Sequence, residues 1–315
     1  MISPDLGTFS KDFNLPFFSH SFQYGDAIFE GMSLIVKERV SIFHPELNYE
    51  RMQYGADMLN YNYKIDVIKA IKTVFELYKI NKIEGYERIY VRPILYKINQ
   101  SVGLKDKFTV KLAHAIMGFG KYIQSKDPLK VKVSNIAREL PLGRIKASSN
   151  YQIAIAERNK YPEYDEVIFL DRKGKLLEGS GENIVMFKDN TFYTPKDYAL
   201  PGITVRFVKM IAEELGFEFK YGSFTLKQIK NLDFIFFTGN AVGLELIEEI
   251  HHDKIYKPKN TNLEAFNAIK KRYEEIFLGQ DEQYHFFMDE FDDKPERFDK
   301  VVKENIQKLG IRNFL

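Results

Sequence analysis

The sequence of 315 residues contains no cysteine. This absence excludes a disulfide framework, a catalytic thiolate and a zinc site with cysteine ligands. It also fits a reducing compartment. Net charge is nearly absent too, because 46 basic residues are balanced by 44 acidic ones. Such a balance gives no electrostatic reason to bind nucleic acid or an anionic membrane, and it favours a small-molecule substrate.

Long apolar segments are also missing. No apolar run reaches the ~18 residues that a membrane helix needs, and the first residues lack the basic start and apolar stretch of a signal peptide. We therefore expect a soluble cytoplasmic protein. His251 and His252 are adjacent, but no third ligand stands at a suitable spacing, so no metal site is predicted.

The chain does contain enough apolar sequence, 44% of its residues, for two domains of ordinary size. Short strands come in meanders with helices grouped around them, which predicts an α+β fold. We expect a smaller domain at 1–119, a polar linker at 120–128 and a larger domain at 129–315. The charged tail after Asp289 is predicted to form a surface helix.

The pattern of apolar residues predicts individual elements. The expected helices are 48–61, 65–78, 150–160, 203–215 and 263–277. The expected strands are 40–43, 87–96, 109–117, 129–133, 167–170, 183–187, 191–194 and 232–238. Pro93 inside 87–96 indicates a strand end or a sheet edge, because proline cannot donate to the ladder.

Two segments carry residues that suit cofactor chemistry. Lys146 precedes small and polar residues and then a predicted helix, where a buried amine can become a nucleophile. Glu178 is followed by Gly179 and Gly181, which let the backbone take positive φ and approach a ligand closely. Taken alone, each segment is better explained by solvated charges in a loop.

Three further segments suit anions. Leu200-Pro201-Gly202-Ile203-Thr204 opens a predicted helix, whose free N–H groups and threonine hydroxyl form an anion site. The loop 238–241 follows a strand and could add donors to the same anion. In Tyr90-Val91-Arg92-Pro93, alternation puts Tyr90 and Arg92 on one strand face, where the arginine can pair with a carboxylate. A sheet-edge ion pair explains that arginine equally well.

The order and spacing of these segments resemble the fold type IV pyridoxal-phosphate (PLP) enzymes, and the branched-chain amino-acid aminotransferases in particular. Five blocks carry the resemblance: His20–Gly31 is similar to "SHxxxYGxxxFEG", Tyr90–Pro93 to "YxRP", Lys146–Tyr151 to "KxxxNY", Glu178–Asn183 to "EGxGEN" and Leu200–Thr204 to "LPGIT". The match runs from about residue 19 to about residue 289. It implies a two-domain fold like that of D-amino-acid transaminase, each domain a sheet or barrel with surrounding helices.

The resemblance assigns roles around the cofactor ring. Lys146 should form the Schiff base with PLP and, once released, move the proton between Cα and C4′. Glu178 should keep the pyridine nitrogen protonated, so that the ring remains an electron sink. Tyr151 should hydrogen-bond the ring's 3-oxygen.

The resemblance also assigns the phosphate site. Arg51 matches the family's phosphate-binding arginine, and the phosphate should sit on the amides of Ile203 and Thr204. Asn240 stands where the family has a threonine that touches the phosphate, and its amide can still donate a hydrogen bond.

Substrate contacts follow from the same resemblance. Tyr90 and Arg92 match positions that meet the α-carboxylate or the side-chain carboxylate of glutamate. Leu104 matches an apolar loop position contributed by the other subunit of a homodimer or larger oligomer. The remaining substrate contacts are Tyr24, Phe29, Phe119 and Tyr122 as aromatic pocket walls, with Ala241. The implied reaction is amino transfer from leucine, isoleucine or valine to 2-oxoglutarate.

Three positions depart from the family pattern and leave alternatives open. Asn240 replaces threonine, Val205 stands where arginine commonly follows "LPGIT", and Gly243 replaces glutamate. An asparagine at 240 is similar to the aminodeoxychorismate lyases, which share the fold, as does D-amino-acid transaminase. A PLP-binding amine sensor without turnover is the alternative from another class.

Overall fold

The computed structural model describes residues 1–105, 107–120, 128–140, 142–291 and 295–314, so Tyr122 and most of the expected linker lie outside it. The helices are α1 (His20–Tyr24), α2 (Pro45–Met58), α3 (Val67–Asn81), α4 (Gln152–Lys160), α5 (Ile203–Glu214), α6 (Leu263–Phe277) and α7 (Pro295–Leu309). None of these helices has the length and apolar character that crossing a bilayer requires.

The strands agree with the predicted α+β class. They are β1 (Ala27–Phe29), β2 (Met32–Val36), β3 (Val40–Phe43), β4 (Arg88–Lys97), β5 (Val110–Gly118), β6 (Leu129–Val133), β7 (Glu166–Leu170), β8 (Leu176–Gly179), β9 (Asn183–Lys188), β10 (Thr191–Thr194), β11 (Glu218–Tyr221), β12 (Phe234–Gly239), β13 (Gly243–His251), β14 (Ile255–Tyr256) and β15 (His285–Phe287). The elements predicted from periodicity are confirmed, with bounds that differ by a few residues.

The chain forms two compact units, and their composition corrects the expected division at a single linker. The first unit comprises 1–120, 145–149 and 276–313, and the second comprises 121–144, 150–275 and 314–315. β15 pairs with β3, and Ala147 forms a bridge with Ile28, so both later segments return to the first unit. Composition along the chain does not reveal such long-range pairing.

The first unit is built on a six-stranded antiparallel sheet. The strand order is β1-β4-β2-β3-β15, and β5 lies along the other side of β4. α3 begins after Asp66, whose side chain accepts a hydrogen bond from the Lys69 amide at 2.9 Å. Its apolar face, including Ile71 and Val74, is buried in the core beneath the sheet.

Pro93 lies in the middle of β4, so the expectation of a strand end or edge is wrong. β5 pairs with β4 along its whole length. On the opposite side of β4, the pairing with β2 ends at Val91 and the pairing with β1 begins at Ile94. Pro93 occupies the gap between those two partners, where its carbonyl accepts a hydrogen bond from the Glu30 amide at 3.0 Å. The missing N–H is tolerated because no ladder partner requires it there.

The charged tail forms the predicted helix, α7, but one face of it is buried within the first unit. Phe298 is 2% exposed and stacks on Phe286 at 5.3 Å. Asn305 donates a 2.7 Å hydrogen bond to Glu46 at the start of α2. Burial raises the pKa of Glu46 to about 8, so this contact joins two neutral groups near neutral pH. The tail is therefore part of the core rather than a surface addition.

The second unit contains a nine-stranded sheet, six of whose strands close into a barrel. The closed path runs β9-β12-β13-β6-β7-β8 and returns to β9 through the pair Glu178 and Asn183. Leu129, Val131, Ile184 and Ile235 are among the side chains that fill its core. Because β8 and β9 meet only at this pair, the side chain of Glu178 lies at the closure of the barrel.

Candidate active site

Lys146 is held in the first unit by backbone pairing to β1. The Lys146 carbonyl accepts a 3.1 Å hydrogen bond from the Phe29 amide, and the neighbouring Ile145 and Ala147 are buried in the core. The lysine side chain is half-buried, with Nζ 5.1 Å from the centre of the Phe29 ring. This position excludes the fully solvated loop lysine that the spacing alone favoured.

Arg51 on α2 forms a buried ion pair that the motifs did not predict. Its Nε and Nη2 each donate to Glu30 at 2.7 Å, and Asn48 donates to the same carboxylate at 2.9 Å. Burial raises the pKa of Glu30, but Arg51, followed by Lys146 and Asn48, lowers it below the ordinary value. The sequence could have indicated Glu30 through its position in the first block, between Phe29 and Gly31.

The predicted substrate residues Tyr90 and Arg92 share one face of β4, as alternation requires. Arg92 Nη2 donates to the Tyr90 hydroxyl at 2.5 Å, and its guanidinium lies 4.3 Å from the Phe29 ring centre. The Tyr90 ring stacks on Phe119 with centroids 5.3 Å apart. Through Phe29, this aromatic row reaches Lys146, so the structure brings together four predicted substrate residues and the lysine.

Tyr24 and Leu104 belong to another part of the first unit. Leu104 is 81% exposed, and Tyr24 donates a 3.1 Å hydrogen bond to the Val102 carbonyl in the loop that carries Leu104. His20 fixes the same loop through Nε2, which lies 2.7 Å from the Gly103 carbonyl. Within this chain the loop therefore presents Leu104 outward.

Glu178 in the second unit is buried and has two defined partners. One carboxylate oxygen accepts from the Leu200 amide at 3.1 Å, and the other lies 3.5 Å from Arg138 Nη1. The expected positive φ at Gly179 and Gly181 is wrong, since neither takes it. Space favours glycine at 179 instead, because a Cβ there would lie 2.6 Å from Glu182 Oε2 and would displace that carboxylate.

Arg138 was missed by the sequence analysis although it joins two predicted cofactor residues. Besides Glu178, it donates to the Asn150 carbonyl at 3.3 Å, and its guanidinium lies 5.9 Å from the ring centre of Tyr151. Tyr151 ends a short 3-10 helix immediately before α4. The segment Ile136-Ala137-Arg138-Glu139 matches no motif, so only the burial of Arg138 in the structure identifies it as a site residue.

The predicted phosphate residues of the second unit, Ile203, Thr204 and Asn240, lie at one end of the barrel. Ile203 and Thr204 are the first residues of α5, whose N-cap Gly202 offers no side-chain acceptor. Asn183 donates to the Leu200 carbonyl at 2.8 Å and thereby ties this loop to β9. Across the sheet, Asn183 pairs with Thr238, the next-to-last residue of β12. Direct contacts thus link the segment that leads into α5 with Glu178 and, through Asn183, with the end of β12.

Asn240 and Ala241 lie in the turn that joins β12 to β13, just beyond Thr238. The departure at Gly243 has a conformational reason, because this residue closes the turn opposite Gly239 with φ of +72°. A side chain at that φ would be strained, so glycine is favoured here.

The residues present fit a phosphorylated pyridine cofactor. Thr238 Oγ1 is fully buried, and no partner for it lies within the described residues. Buried hydroxyls normally have partners, so an oxygen-rich group at this end of the barrel would complete its hydrogen bonding. The neighbouring start of α5 presents N–H groups suited to an anion, and Glu178 supplies a buried carboxylate for a protonated ring nitrogen.

Comparisons with known proteins agree with this geometry. A family model described as "Amino-transferase class IV" matches residues 27–250. A probable branched-chain-amino-acid aminotransferase of Aquifex aeolicus is 29% identical over 250 residues, which cover 75% of this chain and 79% of the relative.

Solved structures give the same relationship. The branched-chain aminotransferase of Thermoproteus uzoniensis, crystallised with norvaline, has a TM-score of 0.78 and 27% identity, covering 87% of this chain and 94% of the other. The branched-chain amino acid aminotransferase of Thermobaculum terrenum, in its PLP form, has a TM-score of 0.75 at 19% identity, covering 87% and 93%. The second likeness shows the fold.

Proposed function

The chain belongs to the class IV aminotransferases, and from this we propose that it transfers the amino group of branched-chain L-amino acids to 2-oxoglutarate with PLP as cofactor. The observation that carries the proposal is the row of Phe29, Tyr90 and Phe119 with Arg92 among them and Lys146 over one end. This row combines an apolar wall, a guanidinium and an amine.

The cofactor supplies an electron sink through which an amino group can pass between an amino acid and an oxo acid. We assign the covalent attachment and the proton movement at the substrate Cα to the Lys146 amine. Glu178 would pair with the ring nitrogen and hold a proton there, and Arg138, 3.5 Å away, fixes the position of that carboxylate. Tyr151 donates to the ring's 3-oxygen.

The phosphate is assigned to the amides of Ile203 and Thr204, with Arg51 and Asn240 as further donors. A dianionic phosphate gains from both the helix start and a guanidinium. Arg51 is bidentate to Glu30, so its guanidinium is held in one orientation before any cofactor binds. This preorganisation lowers the entropy cost of binding.

The substrate side chain is assigned to the aromatic row. A leucine side chain buried against such rings gains about 1.5–3 kcal/mol from leaving water. Glutamate and 2-oxoglutarate carry a second carboxylate in place of the branched methyl groups, and Arg92 can accept it. One pocket thereby serves both halves of the transfer.

We expect L-leucine, added alone, to convert the visible absorption band of the PLP-loaded protein to that of the pyridoxamine form. L-glutamate should do the same, whereas D-alanine should leave the band unchanged. Conversion by D-alanine but not by L-leucine would favour D-amino-acid transaminase. A bound chromophore that none of the three amino acids changes would exclude transamination and favour the lyase or the sensor.

We also propose that the protein is a homodimer. Phe17 and Phe22 are 67% and 62% exposed, with ring centroids 5.7 Å apart, and Leu104 is 81% exposed. An apolar patch of this kind marks an interaction surface. Sedimentation velocity at micromolar concentration should give the mass of two chains, and Phe17→Asp with Phe22→Asp should give the mass of one. A wild-type monomer would contradict the proposal.

A further inference from the structure

The residue Phe314, which no motif includes, packs on the helix that begins at the predicted phosphate site. Phe314 is 8% exposed and belongs to the second unit, like the whole of α5. The guanidinium of Arg206 and the Nζ of Lys209 lie 5.3 and 5.4 Å from its ring centre. Both distances are within the range of cation–π attraction.

The backbone of Phe314 is held as well. Arg144 Nη2 donates to the Phe314 carbonyl at 3.3 Å. Arg206 in turn donates to the Pro201 carbonyl at 3.1 Å, on the loop that leads into α5. Arg206 is fully buried, so the arginine that stands one position later than the family pattern connects the ring of Phe314 to the phosphate loop.

Phe314 also closes the space behind that loop. Pro201, Gly202, Val205, Tyr221 and Phe314 share in lining a cavity of about 20 Å³. This volume accommodates about one water molecule. The loop is therefore supported from behind by an aromatic ring. Removing the ring would open a larger cavity next to the amides of the first turn of α5.

We propose that Phe314 is a positioning residue that sets the affinity for the cofactor phosphate by fixing the 200–204 loop through Arg206. The inference rests on the proposed assignment of the phosphate to Ile203 and Thr204. Phe314 acts through the loop and does not touch the cofactor. Loss of the ring releases the loop, so that the first-turn amides no longer converge before the phosphate arrives.

The test compares PLP with pyridoxal, which has the same ring and aldehyde but no phosphate. Dissociation constants are measured by absorbance titration of the full-length apoprotein. Phe314→Ala should weaken PLP binding about tenfold, which corresponds to about 1.4 kcal/mol, and should leave pyridoxal binding unchanged. Phe314→Tyr keeps the ring and should restore the PLP affinity.

A matched control separates positioning from general stability. Phe291 is 7% exposed, lies in the first unit and packs edge-on against Phe75 and at a tilt against Phe298. Phe291→Ala should lower the melting temperature without changing the ratio of the two dissociation constants. Should Phe314→Ala fail to fold, Arg144→Gln removes the donor to the Phe314 carbonyl and should shift the ratio in the same direction.

Two outcomes would overturn the inference while the proposed function stands. In one, the folded Phe314 variant binds PLP as tightly as the wild type. In the other, PLP and pyridoxal weaken equally, which marks a general structural role. A wild-type protein that binds neither compound would instead remove the proposed function, and this inference with it.

Discussion

Lys146→Ala is expected to lower the rate of amino transfer by at least about 10²–10⁴-fold, the range that a positioned proton carrier contributes. The amine lies half-buried over Phe29, on a segment that β1 holds by the Phe29 amide and the bridge between Ile28 and Ala147. In the proposed mechanism alanine removes both the covalent attachment and the group that moves the substrate proton, while leaving this backbone pairing intact.

Lys146→Arg is the matched control for charge. Arginine preserves a cation near the Phe29 ring but stays protonated, so it can neither attack an aldehyde nor accept a proton at neutral pH. We expect it to be as inactive as alanine. Borohydride reduction of the loaded wild type, followed by peptide mass mapping, should locate the cofactor on the Lys146 peptide. Attachment to another lysine, or an active Lys146→Ala variant, would contradict the assignment.

Arg51→Ala is expected to lower the free energy of unfolding by about 3–5 kcal/mol, because it leaves a fully buried carboxylate without its cation. Glu30 is 0% exposed and receives two 2.7 Å hydrogen bonds from Arg51. Asn48 remains as a donor, but a neutral amide does not replace a guanidinium. Urea unfolding at several pH values measures the loss.

The pH dependence identifies the cause. In the wild type the pKa of Glu30 is below its ordinary value, so its contribution is present above about pH 4.5 and is lost as the pH falls through the lowered pKa. Without Arg51, burial remains the largest influence on that pKa and is opposed by Lys146 and Asn48 only, so we expect the pKa to rise and the variant to lose stability as the pH increases above about 4.5. The gap between the two proteins should therefore widen toward neutral pH.

A double variant provides the control. Adding Glu30→Gln to Arg51→Ala removes the buried charge, and it should recover much of the lost stability and abolish the widening gap. Phosphate binding by Arg51 is tested separately, since loss of a phosphate contact weakens PLP more than pyridoxal. An equal effect on the binding of both compounds would mean that Arg51 does not contact the phosphate and that its role is the ion pair with Glu30.

The local sequence was sufficient for the elements and for the family. Period-2 alternation located β4 and put Tyr90 and Arg92 on one face, because successive side chains of a strand point to opposite sides. Helical periodicity located α3 and α6, whose stabilising contacts lie along one stripe of each helix. Five short blocks in a fixed order identified the class IV relationship, because several matches in the same order rarely arise by chance.

Contacts between distant parts of the chain were decided only by the tertiary structure. The return of 145–149 and β15 to the first unit, the tolerance of Pro93 between two partner strands and the burial of α7 all depend on which strands and helices meet. A linear pattern records which residues are apolar, but it does not record their partners across a sheet.

The same distinction holds for the candidate site. Lys146, Glu178 and Thr204 were candidates from the sequence alone, because the blocks that contain them resemble those of a known family in type and order. Arg138 and Phe314 were not, because a single arginine or phenylalanine acquires its role only from burial against residues far along the chain. The sequence by itself determined which chemical groups are available, and the tertiary structure decided which of them hold the others in place, since positioning arises from long-range packing and hydrogen bonds.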